Sequence, residues 1–220
     1  MMKLKNTLIL LVCFLTLAFA AAAQNNSTGA QTDEKKPAVY NELLVKLKGG
    51  ETNIDFKALR MGFTETKDYS YHGLDKEELA KMMKPLGEKK YKEALKQAEK
   101  VLEKNYVDAN AHYVFYTASK ELKDDKNAEF HKAILVGLLN SIKDGNDGLT
   151  AKTAFLAIAI DEEYTLMRFL GYKVEGQSLQ SADGHKYDVL SVVNSKSGEK
   201  AKFYFNIDKI WEAETKLFGK

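Results

Sequence analysis

Seven residues have the types and spacing to hold a ligand. Arg60 is followed by an aromatic stretch, Asp68-Tyr69-Ser70-Tyr71-His72-Gly73, in which Tyr69, Tyr71 and His72 crowd a few positions of chain. Aromatic rings beside a cation suit a sugar ring or a peptide better than they suit water. Asn110, Tyr113 and Thr117 are spaced i, i+3, i+7, which places them on one stripe of a helix. A polar and aromatic stripe of this kind can line a groove between helices. The plainer reading is that the tyrosines of the loop pin it to the core and the stripe packs inward; of the two helix tyrosines, Tyr116 is expected in the core and Tyr113 toward the groove.

Other chemistries lack their residues. His72, His112, His131 and His185 stand apart, with no spacing that brings two onto one metal, and Asp144-Gly145-Asn146-Asp147-Gly148 misses the calcium-loop pattern, since its twelfth position is Phe155. No G-x-S-x-G elbow and no phosphate-binding P-loop occurs. Asp161, Glu162 and Glu163 are consecutive, so they fan round a helix at about 100° per residue and complement its positive end instead of forming an acid/base pair. Lys92, Lys96, Lys100 and Lys104 form an i, i+4 row flanked by Glu93, Glu99 and Glu103, the composition of a solvated face. No catalytic residue, metal or other cofactor is expected.

The elements that must position these residues follow from periodicity. Pro37 suits a first helical turn, and Tyr40, Leu43, Leu44 and Leu47 follow at helical spacing up to Gly49-Gly50; Asp55 to Phe63 reads as a second short helix. Four more apolar stripes mark helices around Leu79–Leu86, Tyr91–Leu102, Ala109–Lys123 and Ala128–Ile142, joined by short polar breaks that force antiparallel neighbours. After Gly148 the pattern changes. Ala154 to Ile160 reads as a buried strand, a helix opens at Asp161, and Gln177–Gln180, Tyr187–Asn194 and Lys202–Ile207 read as strands, the last two joined by a Ser195–Glu199 hairpin; Trp211 to Phe218 closes the chain as a helix. In the second of these strands Tyr187, Val189, Ser191 and Val193 share a face. The fold class is α+β: an N-terminal antiparallel helical domain followed by a small α/β unit with an antiparallel hairpin.

The first 23 residues read as a secretory signal peptide: Lys3 and Lys5, an apolar run, then Ala21-Ala22-Ala23 before Gln24. The run Leu8–Ala23 falls short of the roughly 18 to 20 residues that span a bilayer, so no transmembrane segment is expected in the mature chain. Of 33 basic side chains two lie in this leader, and the remainder equal the 31 acidic ones. Zero net charge and only two arginines, Arg60 and Arg168, argue against nucleic acid as a partner. Cys13, the single cysteine, also lies in the leader, so the mature chain has no disulfide and no thiol nucleophile. The expected organisation is leader 1–23, polar disordered linker 24–38, helical domain 39–148 and α/β unit 149–220.

Two resemblances add to this reading. Tyr91-Lys92-Glu93-Ala94-Leu95 returns as Phe130-His131-Lys132-Ala133-Ile134, the aromatic, alanine and aliphatic pattern of a helix closing on its neighbour, and it resembles the second helix of a tetratricopeptide repeat. Asn53-Ile54-Asp55-Phe56 with Leu59-Arg60, Tyr69-Ser70-Tyr71, Thr153-Ala154-Phe155, Glu162-Glu163-Tyr164, Tyr187-Asp188-Val189-Leu190 and Tyr204-Phe205-Asn206 together resemble an exported bacterial family known as a domain of unknown function. That resemblance implies a periplasmic or outer-surface location and a repeat-like helical core, and it brings no activity with it.

The function expected from the sequence is therefore a non-enzymatic exported module that binds a protein or peptide, or a glycan, with a metal-independent envelope hydrolase or transferase as the competing class. Native protein is expected to begin at Gln24. N-terminal sequencing that starts at Met1 or at Cys13 would overturn the signal-peptide reading.

Overall fold

The structure, a computed structural model, describes residues 36–218. The leader and most of the linker lie outside them. Helix α1 (Lys36–Lys48) begins one residue before Pro37, so the last three residues of the expected linker are helical. It is followed by α2 (Phe56–Phe63), α3 (Lys76–Gly87), α4 (Tyr91–Lys104), α5 (Ala109–Glu121) and α6 (Asp125–Lys143). Four of these start on an aspartate whose carboxylate accepts a backbone N–H of the first turn: Asp55 from Ala58, Asp75 from Glu78, Asp108 from Ala111 and Asp124 from Asn127. Such caps satisfy amides that the helix itself leaves unpaired.

The remaining elements are β1 (Phe155–Leu156), α7 (Ile160–Phe169), β2 (Tyr172–Ala182), β3 (His185–Asn194), β4 (Lys200–Asn206) and α8 (Asp208–Phe218). The sheet runs in the order β1-β4-β3-β2, with β1 parallel to β4 and the other neighbours antiparallel. Asp183 and Gly184, both with positive φ, make the two-residue turn between β2 and β3. The fold is thus α+β, helices first and sheet last.

Two details of the sheet differ from the sequence pattern. β2 is longer than Gln177–Gln180, with a register shift between Val174 and Gly176 that breaks the alternation. On β3 the face that joins the main sheet core carries Leu190 and Val192, opposite the one marked by Val189 and Val193; Phe203 and Phe205 of β4 supply the matching residues.

The run Ala154–Ile160 differs most, since only two of its residues form a strand. Leu156 O accepts from Arg60 Nη2 at 2.9 Å, Ile158 N donates to Glu162 Oε2 at 2.8 Å, Ile158 O accepts from the Tyr69 hydroxyl at 2.6 Å, and Ile160 N donates to Tyr71 O at 2.9 Å. Past Ala157, whose N–H still reaches Asn206 O of β4, side chains and the Tyr71 carbonyl take over from the neighbouring strand. Buried peptide groups need partners of some kind, and these suffice.

The histidines, isolated in the sequence, include one pair. His112 on α5 and His131 on α6 meet with Nδ1 atoms 2.9 Å apart, and His112 Nε2 lies 3.0 Å from Tyr106 O. A carbonyl only accepts, so we assign the His112 proton to Nε2 and the shared proton to His131 Nδ1. Burial holds both imidazoles neutral, lowering His112 to about 3 and His131 to about 4.

The region on either side of Gly148 shares its core. The described residues form one compact unit. Ile142 of α6 belongs to the cluster built by Leu166, Leu190, Phe203 and Phe205, while Ile158, beyond the boundary, packs with Leu59, Ile134 and Leu138. The change of periodicity at Asp144–Gly148 is a change of secondary structure inside this unit. A chain ending at Gly148 loses Ile158, Leu156 O and Glu162, and is expected to show no cooperative thermal transition by circular dichroism. A sharp melt of the truncated chain would show that the helices fold alone.

Candidate functional site

Arg60 sits in the last turn of α2 and is completely buried. Its guanidinium makes a two-pronged pair with Glu162, Nε to Oε1 at 2.9 Å and Nη2 to Oε2 at 2.5 Å, and Nη1 donates to Ser141 Oγ at 3.3 Å. A fork of donors meeting a carboxylate in this way holds its geometry well. Arg60 is thereby committed to the interior and offers nothing to a ligand.

The loop after α2 is tied to the same region. Beyond the Tyr69 hydroxyl and Tyr71 carbonyl contacts, Leu74 N donates to Asp161 Oδ2 at 2.9 Å. Gly73 passes so close that a Cβ there would lie 1.7 Å from Asp161 Oδ1, and its φ of +70° independently favours glycine. Tyr71 is buried in the sheet core, and His72 stacks on its ring at 4.1 Å while staying exposed.

The stripe Asn110, Tyr113, Thr117 is covered by α7 over its first half. Asn110 Nδ2 donates to Thr165 Oγ1 at 3.1 Å, Arg168 donates to Asn110 Oδ1, and the Tyr113 ring meets Phe169 edge-on at 5.4 Å. The polar residue types that suggested a groove instead pair across a helix interface. Thr117 is half-buried. Both tyrosines are half-buried: Tyr113 packs with the core clusters, and the Tyr116 ring lies beneath Lys120 and Lys132.

Acidic groups converge where α5 and α7 begin. Asp108, Asp161 and Glu162 border a cavity of about 20 Å³, room for one water molecule. Burial raises Asp108 to about 6 and, with the charge of Asp108 added, raises Asp161 as well. On the other side of Glu162 in the chain, Glu163 is fully buried, and neither of its carboxyl oxygens has a hydrogen-bond partner among the described residues. Burial, then the charges of Asp188, Glu162 and Asp161, push Glu163 up to about 9, so it is neutral at physiological pH.

Two clefts open on either side of the loop. One, of about 320 Å³, lies between α3, α4 and the loop, with Asp68, Ser70, Gly73 and Leu74 on one side and Gln97, Lys100, Val101 and Lys104 on the other. The second, of about 270 Å³, lies against α8 and is floored by Tyr69 and Tyr71. In the second cleft Glu212 is already neutralised by Lys209 at 3.0 Å and Lys216 at 2.9 Å. In the first, Lys100, Lys104, Asp68 and Glu78 form no salt bridge among the described residues, which makes it the better candidate for an external ligand. Of the residues singled out in the sequence, Tyr69, Tyr71 and His72 are brought together with Arg60's network, while Asn110, Tyr113 and Thr117 are not part of either cleft. Lys100 and Lys104 were visible as a lysine row; Ser70 carried no signal beyond its aromatic neighbours.

Among the described residues no three histidine, cysteine or acidic side chains are placed to hold a metal ion, and no helix is long and apolar enough to cross a membrane. Comparison with known families places residues 30–216 in one described as "Domain of unknown function (DUF4919)". The chain belongs to this family. No curated protein and no solved structure matches it. The DUF4919 match runs across both the helices and the sheet, in keeping with their common core.

Glu163 gives this DUF4919 chain a distinctive pH dependence. Its folded pKa of about 9 lies above the ordinary 4.5, so the folded protein keeps a proton that the unfolded chain releases. That contribution is complete below about pH 4.5 and declines by up to about 1.4 kcal/mol per pH unit until the pH passes the folded value. Relative to the parent, Glu163→Gln is expected to gain about 3 kcal/mol of stability between pH 5 and pH 7.5 in urea titrations. A stability difference that stays constant over that range would show that Glu163 does not carry the proton.

Proposed function

We propose that this DUF4919 protein is exported, its leader removed after Ala23, and that it works outside the cytoplasm as a non-enzymatic module that binds a peptide or protein segment. The binding surface is the cleft between α3, α4 and the Tyr69–Leu74 loop. The observation that carries this reading is the cleft itself: a shallow, preformed opening of about 320 Å³ with mixed polar and apolar lining and four charges without salt-bridge partners among the described residues. Ligand sites of this size are usually preformed, and here three hydrogen bonds fix the loop that makes one wall.

The helices support a tetratricopeptide-like reading. Tyr91 opens α4 and Phe130 lies in α6, so the repeated pattern falls on the second helix of two successive antiparallel pairs, α3–α4 and α5–α6. Stacked pairs of this kind present extended surfaces to peptides. The hydrolase reading is less favoured because the carboxyls that do converge, Asp108, Asp161 and Glu162, border a chamber that holds one water and leaves no room for a scissile bond.

Site-directed photo-crosslinking in native cells tests the reading. A photoreactive residue in place of Gln97, in the cleft, is expected to give a discrete adduct whose mass spectrum contains a peptide or protein. The same residue in place of Val136, on the exposed side of α6, is the control and is expected to give none. Adducts from both positions alike, or from neither, would exclude the cleft as the binding surface.

A further inference from the structure

The cleft is charged on both walls. On α4, Lys100 and Lys104 stand one helical turn apart, both exposed. Lys100 has only Gln97 Oε1, at 3.3 Å, as a side-chain hydrogen-bond partner, and Glu103, three residues on, does not close on it. Elsewhere on the helices lysines do pair with acids three or four residues away, as Lys46 does with Glu42, Lys81 with Glu77 and Lys132 with Glu129. The facing wall carries Asp68 from the loop, Glu78 from the first turn of α3, and Lys81, whose charge is already met by Glu77 at 2.7 Å. Leu74 and Val101 supply the apolar part of the lining.

We infer, resting on the binding reading above, that the occupant is a short stretch of extended peptide bearing both signs of charge: a carboxylate toward Lys100 and Lys104, an ammonium or guanidinium toward Asp68 and Glu78, and an apolar side chain over Leu74 and Val101. A polyphosphate or other polyanion meets repulsion from Asp68 and Glu78, and a neutral glycan leaves all four charges without a counterpart. The volume of about 320 Å³ lies at the small end of ligand pockets, roughly 300 to 1,000 Å³, and suits a few residues of chain. Charges this exposed select among partners and speed encounter more than they add affinity, so the signature is discrimination and salt sensitivity.

Fluorescence anisotropy with the full chain tests this directly. Four end-blocked five-residue peptides share a central leucine and differ only in flanking residues: glutamate on one side and lysine on the other, glutamate on both, lysine on both, or glutamine on both. The mixed-charge peptide is expected to bind at least about fivefold more tightly than the other three, and the advantage is expected to shrink at about 0.5 M salt, where the Debye length falls to a few ångströms. The double variant Lys100→Glu, Lys104→Glu, at exposed positions and with an unchanged melting curve, is expected to shift the preference to the lysine peptide. Equal binding by all four peptides, or a double variant with the parent's preference, overturns the charge inference. It leaves the binding reading in place if the adduct at position 97 persists; loss of that adduct removes both.

Discussion

A buried guanidinium organises this molecule. Arg60 lies beneath the helices with no exposed surface, and its charge is tolerable there because Glu162 receives it in two parallel hydrogen bonds and Leu156 O and Ser141 Oγ accept one N–H each. Removing one member of such a pair strands the other charge in a medium of low dielectric, a loss of about 3 to 5 kcal/mol in comparable cases. The pair joins α2 to the start of α7, positions a hundred residues apart in the chain. It also determines what the backbone between β1 and α7 can do, because Glu162 simultaneously accepts Ile158 N.

From that anchor the surface features follow. With Ile158 N held by Glu162, Ile158 O is left for the Tyr69 hydroxyl, and Ile160 N for the Tyr71 carbonyl. Those contacts, with the Asp161 carboxylate on Leu74 N, set the path of the loop, and its alternating side chains face different clefts: Ser70 toward α3 and α4, Tyr69 and Tyr71 toward α8. The three acids at the start of α7 therefore have three separate tasks. Asp161 holds the loop, Glu162 neutralises Arg60, and Glu163 is driven into the sheet core as a neutral acid without a hydrogen-bond partner among the described residues. A neutral Glu163 brings no charge to the helix dipole, so the dipole alone does not account for the three acids in the first turn.

The apolar interior is continuous for related reasons. Tyr69 and Leu139 each pack against both the sheet cluster and the α1–α2–α6 cluster, and Tyr106 and Tyr113 link the latter to the α3–α4–α5 cluster. Large residues at the seams let one side chain bury area in two places. The His112–His131 pair lies near one such seam, stacked on Phe115 and edge-on to Phe130, where two neutral imidazoles satisfy each other and the Tyr106 carbonyl.

Local properties were legible in the sequence. The 3.6-residue apolar spacing of α3 to α6, the hairpin at Ser195–Glu199 and the α+β order depend on neighbours a few positions away, so the chain encodes them locally. Arg60, Tyr69 and Tyr71 stood out by type as ligand-binding candidates, whereas the partners the structure gives them are internal. Those partners did not stand out, because Glu162, Leu156 and Ile158 are about a hundred residues distant and nothing in their spacing identifies them. Asn110 and Tyr113 carried the types of a binding stripe, yet α7 covers them; Lys100 and Lys104 carried the types of a solvated face, yet they border a cleft. Periodicity tells which side of a helix is distinct, whereas which element arrives to cover that side is decided by long-range pairing, here by a single buried charge that accepts only one geometry.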